Sequence, residues 1–360
     1  IFFSSDGVIT SLSNLEKEVS IDFDFNFWEY NSTGPPDYEI FSDNYLFRPQ
    51  GPAERVSTAR TVIVIDGDFV KELRIQETPT HQRVIRLYVQ PPNTQGRARD
   101  FITIDTIIGP LESNKECILR FETDLASDGV FYTDDNGLQT QKRHHKNETL
   151  PIAGNYYPLV YNGYIGDKKD DLELSFIVDS PVGATSLQSG QFEMMLHRRV
   201  TNTIFFGMNL NDTSIARPSM RLIFEDREES LLQRQQFSYM LNFPPVALVA
   251  TKLVNTAHFL KNYTLRHEFM KQGMPQQAHL LSLEALHGTK ETSIAMRVAH
   301  LFESSEQPFG VPLEIKLTTH FEDKFSVESL EARSLSTTYS LSQMYRKPWK
   351  SKSIHDESNH

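Results

Sequence analysis

The sequence predicts an all-β protein built mainly from antiparallel strands, and three observations support this class. Short apolar runs, such as residues 61–65 and 84–89, are rich in β-branched side chains. Glycines and prolines separate such runs at short intervals, which is typical of turns between strands. Residues 20–28 alternate apolar and polar side chains, so this strand should have one apolar face and one acidic face.

Composition excludes two classes of partner. The chain has 360 residues and a formal net charge of -11, with 36 Lys and Arg against 47 Asp and Glu. Phosphate backbones require clustered basic side chains, so we expect no nucleic-acid surface. No apolar run approaches the roughly 20 residues of a membrane span, so we expect no membrane insertion.

Glycosylation sequons favour the secretory route. Sequons begin at Asn31, Asn147, Asn211 and Asn262, each in a polar, turn-like context. The single cysteine, Cys117, excludes an internal disulfide and by itself favours a reducing compartment. The four sequons outweigh it, and we predict N-glycosylation at all four asparagines.

The pattern of runs and breaks divides the chain into four parts. Residues 1–225 contain many predicted strands and form a large β-sandwich domain. Residues 226–276 form a connecting segment that is partly helical, since 228–239 is rich in helix formers. A second β pattern spans 277–346 and predicts a smaller β-sandwich. The polar end, 347–360, is predicted to be disordered.

No complete metal site or catalytic set is visible in these residues. There is no HExxH motif, since His267 lacks a second histidine at the required spacing. His144 and His145 are adjacent, so their side chains diverge. Cys117 lies in a strand-like run and is predicted to be buried and inert. Carboxylates are numerous, but no pair is identifiable across a scissile bond, so we predict no catalytic residue and no metal ligand here.

Four ordered blocks carry a resemblance to a known family. The chain resembles the C-terminal half of the class II α-mannosidases, glycoside hydrolase family 38, and is most similar to the lysosomal type. The blocks, in chain order, are FYTDDNG (131–137), KNETLPIAGNYYP (146–158), SLQSGQFEMMLHRR (186–199) and HLLSLEAL (279–286).

The resemblance implies a fold, an activity and a location. The fold would be a large antiparallel super-β-sandwich of the galactose mutarotase-like type, followed by a smaller β-sandwich. The activity would be retaining, zinc-dependent hydrolysis of terminal α-mannose on N-linked glycans. The zinc ligands and both carboxylates would lie in an N-terminal catalytic domain upstream, so this chain is expected to be an inactive C-terminal fragment. Its partners would be that domain and a mannose-containing oligosaccharide, in the lysosome or outside the cell.

Three residues are candidates for the sugar pocket. By residue type alone, Tyr45 would be a core tyrosine, and Arg198 and Arg199 would form salt bridges. Residues 42–49 resemble the family's tyrosine-bearing segment before a Pro/Gly turn, and the resemblance implies instead that this tyrosine and an arginine of the pair approach the active site. We therefore expect Tyr45 and Arg199 to lie near each other at one edge of the sandwich, facing the catalytic domain.

One departure from the family pattern leaves two alternatives open. After the arginine pair, relatives have an acidic segment and an Arg-Gly pair, whereas residues 200–207 read VTNTIFFG. The chain could therefore belong to a family member that has lost catalysis and acts as a glycan-binding or structural module. An unrelated secreted β-sandwich that binds carbohydrate is the third hypothesis.

Overall fold

A computed structural model describes most of the chain. The described residues are 1–32, 42–89, 101–147, 150–167, 169, 171–201, 209–249, 251, 255–265, 267–286, 293–321 and 326–345. They fall into two compact units, Ile1–Ala247 and Leu248–His360. The predicted tail at 347–360 lies outside the described residues. No helix in the described ranges is both long enough and apolar enough to cross a membrane.

Antiparallel strands form the first unit. In chain order they are β1 (Phe2–Phe3), β2 (Ile9–Asn14), β3 (Val19–Asn31), β4 (Glu54–Arg55), β5 (Thr61–Asp66), β6 (Val70–Thr78), β7 (His81–Tyr88), β8 (Ile102–Ile108), β9 (Lys115–Thr123), β10 (Val130–Asp135), β11 (Gln139–His144), β12 (Tyr157–Leu159), β13 (Asn162–Asp167), β14 (Leu172–Val178), β15 (Val182–Thr185), β16 (Gln191–Arg199) and β17 (Ser219–Asp226).

These strands make two large sheets. The first has eight strands in the order β1-β2-β3-β9-β16-β15-β12, with β4 paired to β3. The second has nine strands in the order β11-β10-β13-β14-β17-β8-β7-β6-β5. The predicted all-β, sandwich-type class is confirmed. The central strands β3, β9 and β16 of the first sheet are the ones that position the candidate site.

An aromatic core joins the two sheets. Phe25 of β3 stacks on Phe121 of β9 with ring centroids 5.0 Å apart. Phe121 meets Phe176 of β14 at 4.8 Å, and Phe176 stacks on Phe192 of β16 at 4.3 Å. All four side chains are almost completely buried. The period-two pattern of residues 20–28 is therefore explained, because its phenylalanines face this core.

One long helix packs on the nine-stranded sheet. Helix α1 (Arg227–Asn242) begins where the Asp226 side chain accepts a hydrogen bond from the amide of Glu229, an N-cap. Buried Arg234 in the helix donates to Glu173 of the sheet at 2.8 Å. The helix predicted within 228–239 is confirmed, and α1 belongs to the first unit.

The second unit differs in part from its predicted pattern. Helix α2 (Thr256–Asn262) is followed by an antiparallel pair, β18 (Ala278–Leu286) and β19 (Ser293–His300), and by α3 (Leu317–Phe321). The sequence predicts two further strands, at 313–321 and 325–335, and neither appears among the described residues.

A contact with a distant segment explains the first of these differences. His320 Nδ1 is 2.8 Å from the carbonyl oxygen of Gln272, and buried Phe321 packs edge-on against Phe269 at 5.8 Å. These contacts favour a helical turn over the strand that the local sequence indicates.

Candidate functional site

A β-bulge decides which arginine of the pair faces outward. Strand β16 pairs with β9, and the register shifts between Met195 and His197. Before the shift Met195 lies opposite Ile118, and after it Arg198 lies opposite Glu116. Simple alternation would put residues 195, 197 and 199 on one face. The extra residue of the bulge puts Arg198 there instead, on the face turned away from the aromatic core.

Arg198 contacts the turn that carries Tyr45. Its Nη2 donates to the carbonyl oxygens of Asp43 and Leu46, each at 3.2 Å. The same nitrogen forms an ion pair with the carboxyl of Glu116. One nitrogen of the guanidinium thus joins Glu116 on the central strand β9 to both ends of a short turn.

The turn presents Tyr45 at its tip. Asp43 and Leu46 exchange backbone hydrogen bonds of 3.0 and 3.1 Å, and the Asp43 carboxylate accepts from the amide of Asn44 at 2.6 Å. Asp43 is 2% exposed, whereas Tyr45 is 75% exposed. A rigid, buried base with an exposed aromatic tip is an arrangement that can present a ring to a ligand.

Arg199 has other partners. Adjacent residues of a strand point to opposite sides, so Arg199 points away from the face of Arg198. Its Nη1 donates to the carbonyl of Leu111 at 2.7 Å, and its Nε donates to the side-chain oxygen of Asn211 at 2.8 Å. The structure therefore brings Arg198, and not Arg199, into contact with the turn of Tyr45.

Glu116 is a buried acid beneath this contact. It is 2% exposed and lies opposite both Tyr30 of β3 and Arg198 of β16. Burial raises the pKa of the Glu116 carboxyl to about 7, although the nearby guanidinium of Arg198 opposes the shift. The protonation of Glu116 therefore depends on Arg198, the residue that contacts the Tyr45 turn.

A second buried acid organises the neighbouring part of the same face. Glu193 is completely buried, and its Oε1 accepts from the phenols of Tyr30 at 2.7 Å and Tyr156 at 2.6 Å. Its Oε2 accepts from Arg120 Nε at 2.6 Å. Burial and the nearby carboxylate both raise the pKa of Tyr30 far above its ordinary value, so the phenol stays protonated.

Aromatic rings cover this polar cluster. The Arg120 guanidinium lies over the Trp28 ring at 4.4 Å, a cation–π contact. Phe47 meets Tyr30 and Tyr156 edge-on at 5.3 and 5.0 Å. Phe47 follows the Tyr45 turn in the chain, so the turn is anchored at both its arginine contact and this aromatic contact.

The GNYYP block closes a loop beside the cluster. Asn155 is completely buried and donates to the carbonyls of Lys146 and Pro151 at 2.8 and 2.7 Å, while its oxygen accepts from the amide of Lys146 at 2.7 Å. The next residue, Tyr156, reaches Glu193. The asparagine thus fixes the loop that follows β11, and the tyrosine fixes the loop to the sheet.

The predicted glycan acceptors have different surroundings. Asn147 follows β11 and is exposed, and Asn211 and Asn262 are exposed as well. Asn31 is half-buried within β3 and lies opposite Lys115 of β9. The Asn211 oxygen accepts from Arg199, which leaves its amide nitrogen, the atom that carries a glycan, available.

The described residues do not provide a metal centre. They contain no group of three or more His, Cys, Asp or Glu side chains arranged to hold an ion. Zinc in proteins needs at least three such ligands. The described part of the chain therefore does not fit zinc.

Two acids of the site escape prediction from sequence. Strand register makes Glu116 a neighbour of Arg198 and Tyr30, and the packing of a loop brings Tyr156 to Glu193. The alternation of β9 does place Glu116 and Arg120 on one face. The alternation alone does not show which face of the sheet a loop covers, or which loop covers it.

Comparison with known proteins identifies the family. Residues 1–203 match the model of the glycosyl hydrolases family 38 C-terminal domain. This is more than half of the chain, and the chain belongs to glycosyl hydrolase family 38.

Curated relatives match nearly the whole chain. The epididymis-specific alpha-mannosidase of Sus scrofa is 27% identical, over 99% of this chain and 39% of its own length. The human epididymis-specific alpha-mannosidase is 29% identical, over 90% of this chain and 35% of its own length. The lysosomal alpha-mannosidase of Mus musculus is 27% identical, over 97% of this chain and 35% of its own length. The chain thus spans little more than a third of these relatives.

Solved structures support the fold. An alpha-mannosidase from Enterococcus faecalis V583 superposes with a TM-score of 0.58 at 10% identity, covering 81% of this chain and 35% of that chain. A family 38 protein from Enterococcus faecalis superposes with a TM-score of 0.57 at 9% identity, covering 81% of this chain and 37% of that chain. At such identities the likeness concerns the fold alone.

Proposed function

We propose that this chain is the β-domain part of an α-mannosidase that removes terminal α-linked mannose from N-linked glycans with retention. The family match over residues 1–203 carries the proposal. The relatives named above are alpha-mannosidases, which supports the substrate class. The lysosomal relatives support a lysosomal location. Secretion from the cell is the other location that the secretory pathway allows.

In this proposal the chemistry comes from outside the chain. Retention requires two carboxyl groups about 5–5.5 Å apart across the scissile bond. Zinc, as a Lewis acid, would help to hold and polarise the sugar. The described residues do not fit a zinc site, so we assign the metal, the nucleophile and the acid to a catalytic domain upstream.

The role of this chain is then to complete the sugar pocket. Tyr45 is exposed at a turn tip, and Arg198 holds the two ends of that turn. Aromatic faces suit sugar rings, and guanidinium groups donate to hydroxyls. Pockets tend to form where domains meet, and we propose that this edge faces the catalytic domain. Arg199 would support the pocket through Leu111 and Asn211.

The experiment compares the full-length protein with the isolated chain. Each is assayed on an aryl α-mannoside, with added zinc and then with a chelator. The proposal expects hydrolysis by the full-length protein, its loss on chelation and its recovery with zinc, and background activity from the isolated chain. Activity of the isolated chain above background would contradict the assignment of catalysis upstream.

The departure from the family pattern at residues 200–207 favours one alternative function. A family member without catalysis could use the same edge to bind glycans or as a structural module. Most of this segment lies outside the described residues. An inactive full-length protein that still binds mannose oligosaccharides would favour this alternative over the enzyme.

A further inference from the structure

One guanidinium contacts both ends of the turn that carries Tyr45. Both carbonyls that close its turn, those of Asp43 and Leu46, accept from Arg198 Nη2. Arg198 lies on a strand, where bulge and register fix its backbone. Its long side chain is still flexible and needs a further contact to hold its head group in one place.

Glu116 provides that contact. Its carboxyl pairs with the same nitrogen of Arg198, and the Glu116 side chain is 3% exposed against 32% for Arg198. The buried acid is thus a fixed point beneath a half-exposed base. The other groups that face this pair are the phenol-bearing Tyr30 across from Glu116 on β3 and Asp43 in the covering turn.

We propose that Glu116 is a positioning residue for the sugar pocket: it orients Arg198, and Arg198 holds the turn that presents Tyr45. This inference rests on the proposed function, because Tyr45 is a pocket residue only if the protein binds mannose. Glu116 itself would not touch the sugar, and its effect would pass through its ion pair with Arg198 and then through the hydrogen bonds of Arg198 to the turn.

A matched pair elsewhere separates positioning from simple stabilisation. Glu173 and Arg234 form another buried ion pair, 2.8 Å apart, with side chains 4% and 2% exposed. That pair joins α1 to the nine-stranded sheet. Loss of either acid should destabilise the protein, but only loss of Glu116 should disturb the Tyr45 turn.

The first test is a double-mutant cycle in the full-length enzyme. Glu116→Leu should lower kcat/KM roughly 3- to 30-fold, since a charge-assisted contact is lost at one remove from the sugar. In a Tyr45→Ala background the same change should have much less effect, because both act through the ring of Tyr45. Glu173→Leu should combine additively with Tyr45→Ala. Additive behaviour of Glu116→Leu would overturn the proposal.

The second variant guards against loss of folding and adds a pH readout. Glutamine is neutral and has nearly the shape of a protonated glutamate. Burial raises the pKa of Glu116 to about 7, so Glu116→Gln should match the wild type near pH ~5 and fall behind it as the pH rises through ~7. A Glu116→Gln deficit that is the same at every pH would contradict the proposed role.

The third measurement does not need activity. Hydrogen exchange of the full-length protein should be faster in the peptide covering residues 42–48 for Glu116→Leu, and unchanged there for Glu173→Leu. Unchanged exchange in both variants would overturn the inference. Faster exchange in a protein that cleaves no mannoside would keep the positioning role and reject the proposed function.

Discussion

The carboxylate of completely buried Glu193 accepts a 2.6 Å hydrogen bond from the phenol of Tyr156. Tyr156 comes from a loop that the sequence marks with GNYYP, and Glu193 comes from the strand that ends in the arginine pair. Their contact joins two of the four family blocks. It also accounts for a buried charge, since Arg120 and Tyr30 complete its partners.

Removing Glu193 should be strongly destabilising. Glu193→Leu leaves Arg120 buried beside an apolar side chain, which typically costs about 3–5 kcal/mol. Tyr156→Phe removes one hydrogen bond and should cost about 1–3 kcal/mol. Denaturant unfolding measures both. Glu54→Leu, at an exposed position on β4, is the control and should change the free energy of unfolding by less than about 0.5 kcal/mol.

Stability should depend on pH through Glu116. The folded-state pKa of about 7 lies above the ordinary value of 4.5, so the folded state binds the proton more tightly. This contribution to stability is complete below pH 4.5 and is lost as the pH rises through about 7. At about 1.4 kcal/mol per pKa unit, it amounts to roughly 3 kcal/mol.

The difference between two variants isolates this acid. The free energy of unfolding of Glu116→Gln, measured by denaturant at several pH values, should lack the Glu116 component. The gap between Glu116→Gln and the wild type should therefore widen in favour of the variant as the pH rises from about 4.5 to about 7, and should stay constant above that. A constant gap across the range would show that Glu116 titrates normally.

Asn155 should control the loop that precedes it. Asn155→Ala removes hydrogen bonds to Lys146 and Pro151 and should cost about 1–3 kcal/mol. Trypsin should then cleave faster in the basic run before the loop, as followed by mass spectrometry on protein made without glycans. Asn262→Ala, at an exposed helix end, should leave the cleavage rate unchanged. Equal rates for wild type and Asn155→Ala would reject this account.

Asn147 should carry a glycan when the protein is made in a eukaryotic secretory host. It is exposed after β11, next to the loop that Asn155 fixes. Glycosidase treatment followed by peptide mass mapping measures its occupancy. The exposed Asn211 and Asn262 should be modified as well. Occupied sites elsewhere with an unmodified Asn147 would count against the surface assignment of this loop.

Local patterns in the sequence predict the strands of the first unit well. Alternation in residues 20–28 and tight-turn signals such as Asn136-Gly137 reflect contacts between near neighbours, and the structure has β3 and the β10–β11 hairpin there. The helix predicted within 228–239 is likewise a local preference. Long-range contacts override local preference at 317–321, where a predicted strand is helical.

The candidate site depends on features that local patterns do not encode. The bulge after Met195 decides that Arg198 and not Arg199 meets the Tyr45 turn. Strand register decides that Glu116 lies beneath that arginine. The family resemblance selects the segment of Tyr45 and the pair of arginines, and the structure brings one of these arginines into contact with that segment. Only the packing of strands and loops determines which residues each of the two arginines contacts.

The kinetics of Arg198 variants in the full-length protein test the central claim most directly. Hydrogen bonds to a charged donor contribute about 1.5–3 kcal/mol, so Arg198→Ala should lower kcat/KM on an aryl α-mannoside about 10- to 150-fold. Arg198→Lys should recover only part of this, because lysine lacks the fixed fork of donors. Arg333→Ala, 42% exposed in the second unit, is the matched control. Wild-type kinetics in a folded Arg198→Ala protein would contradict the claim that this edge of the chain completes the mannose pocket.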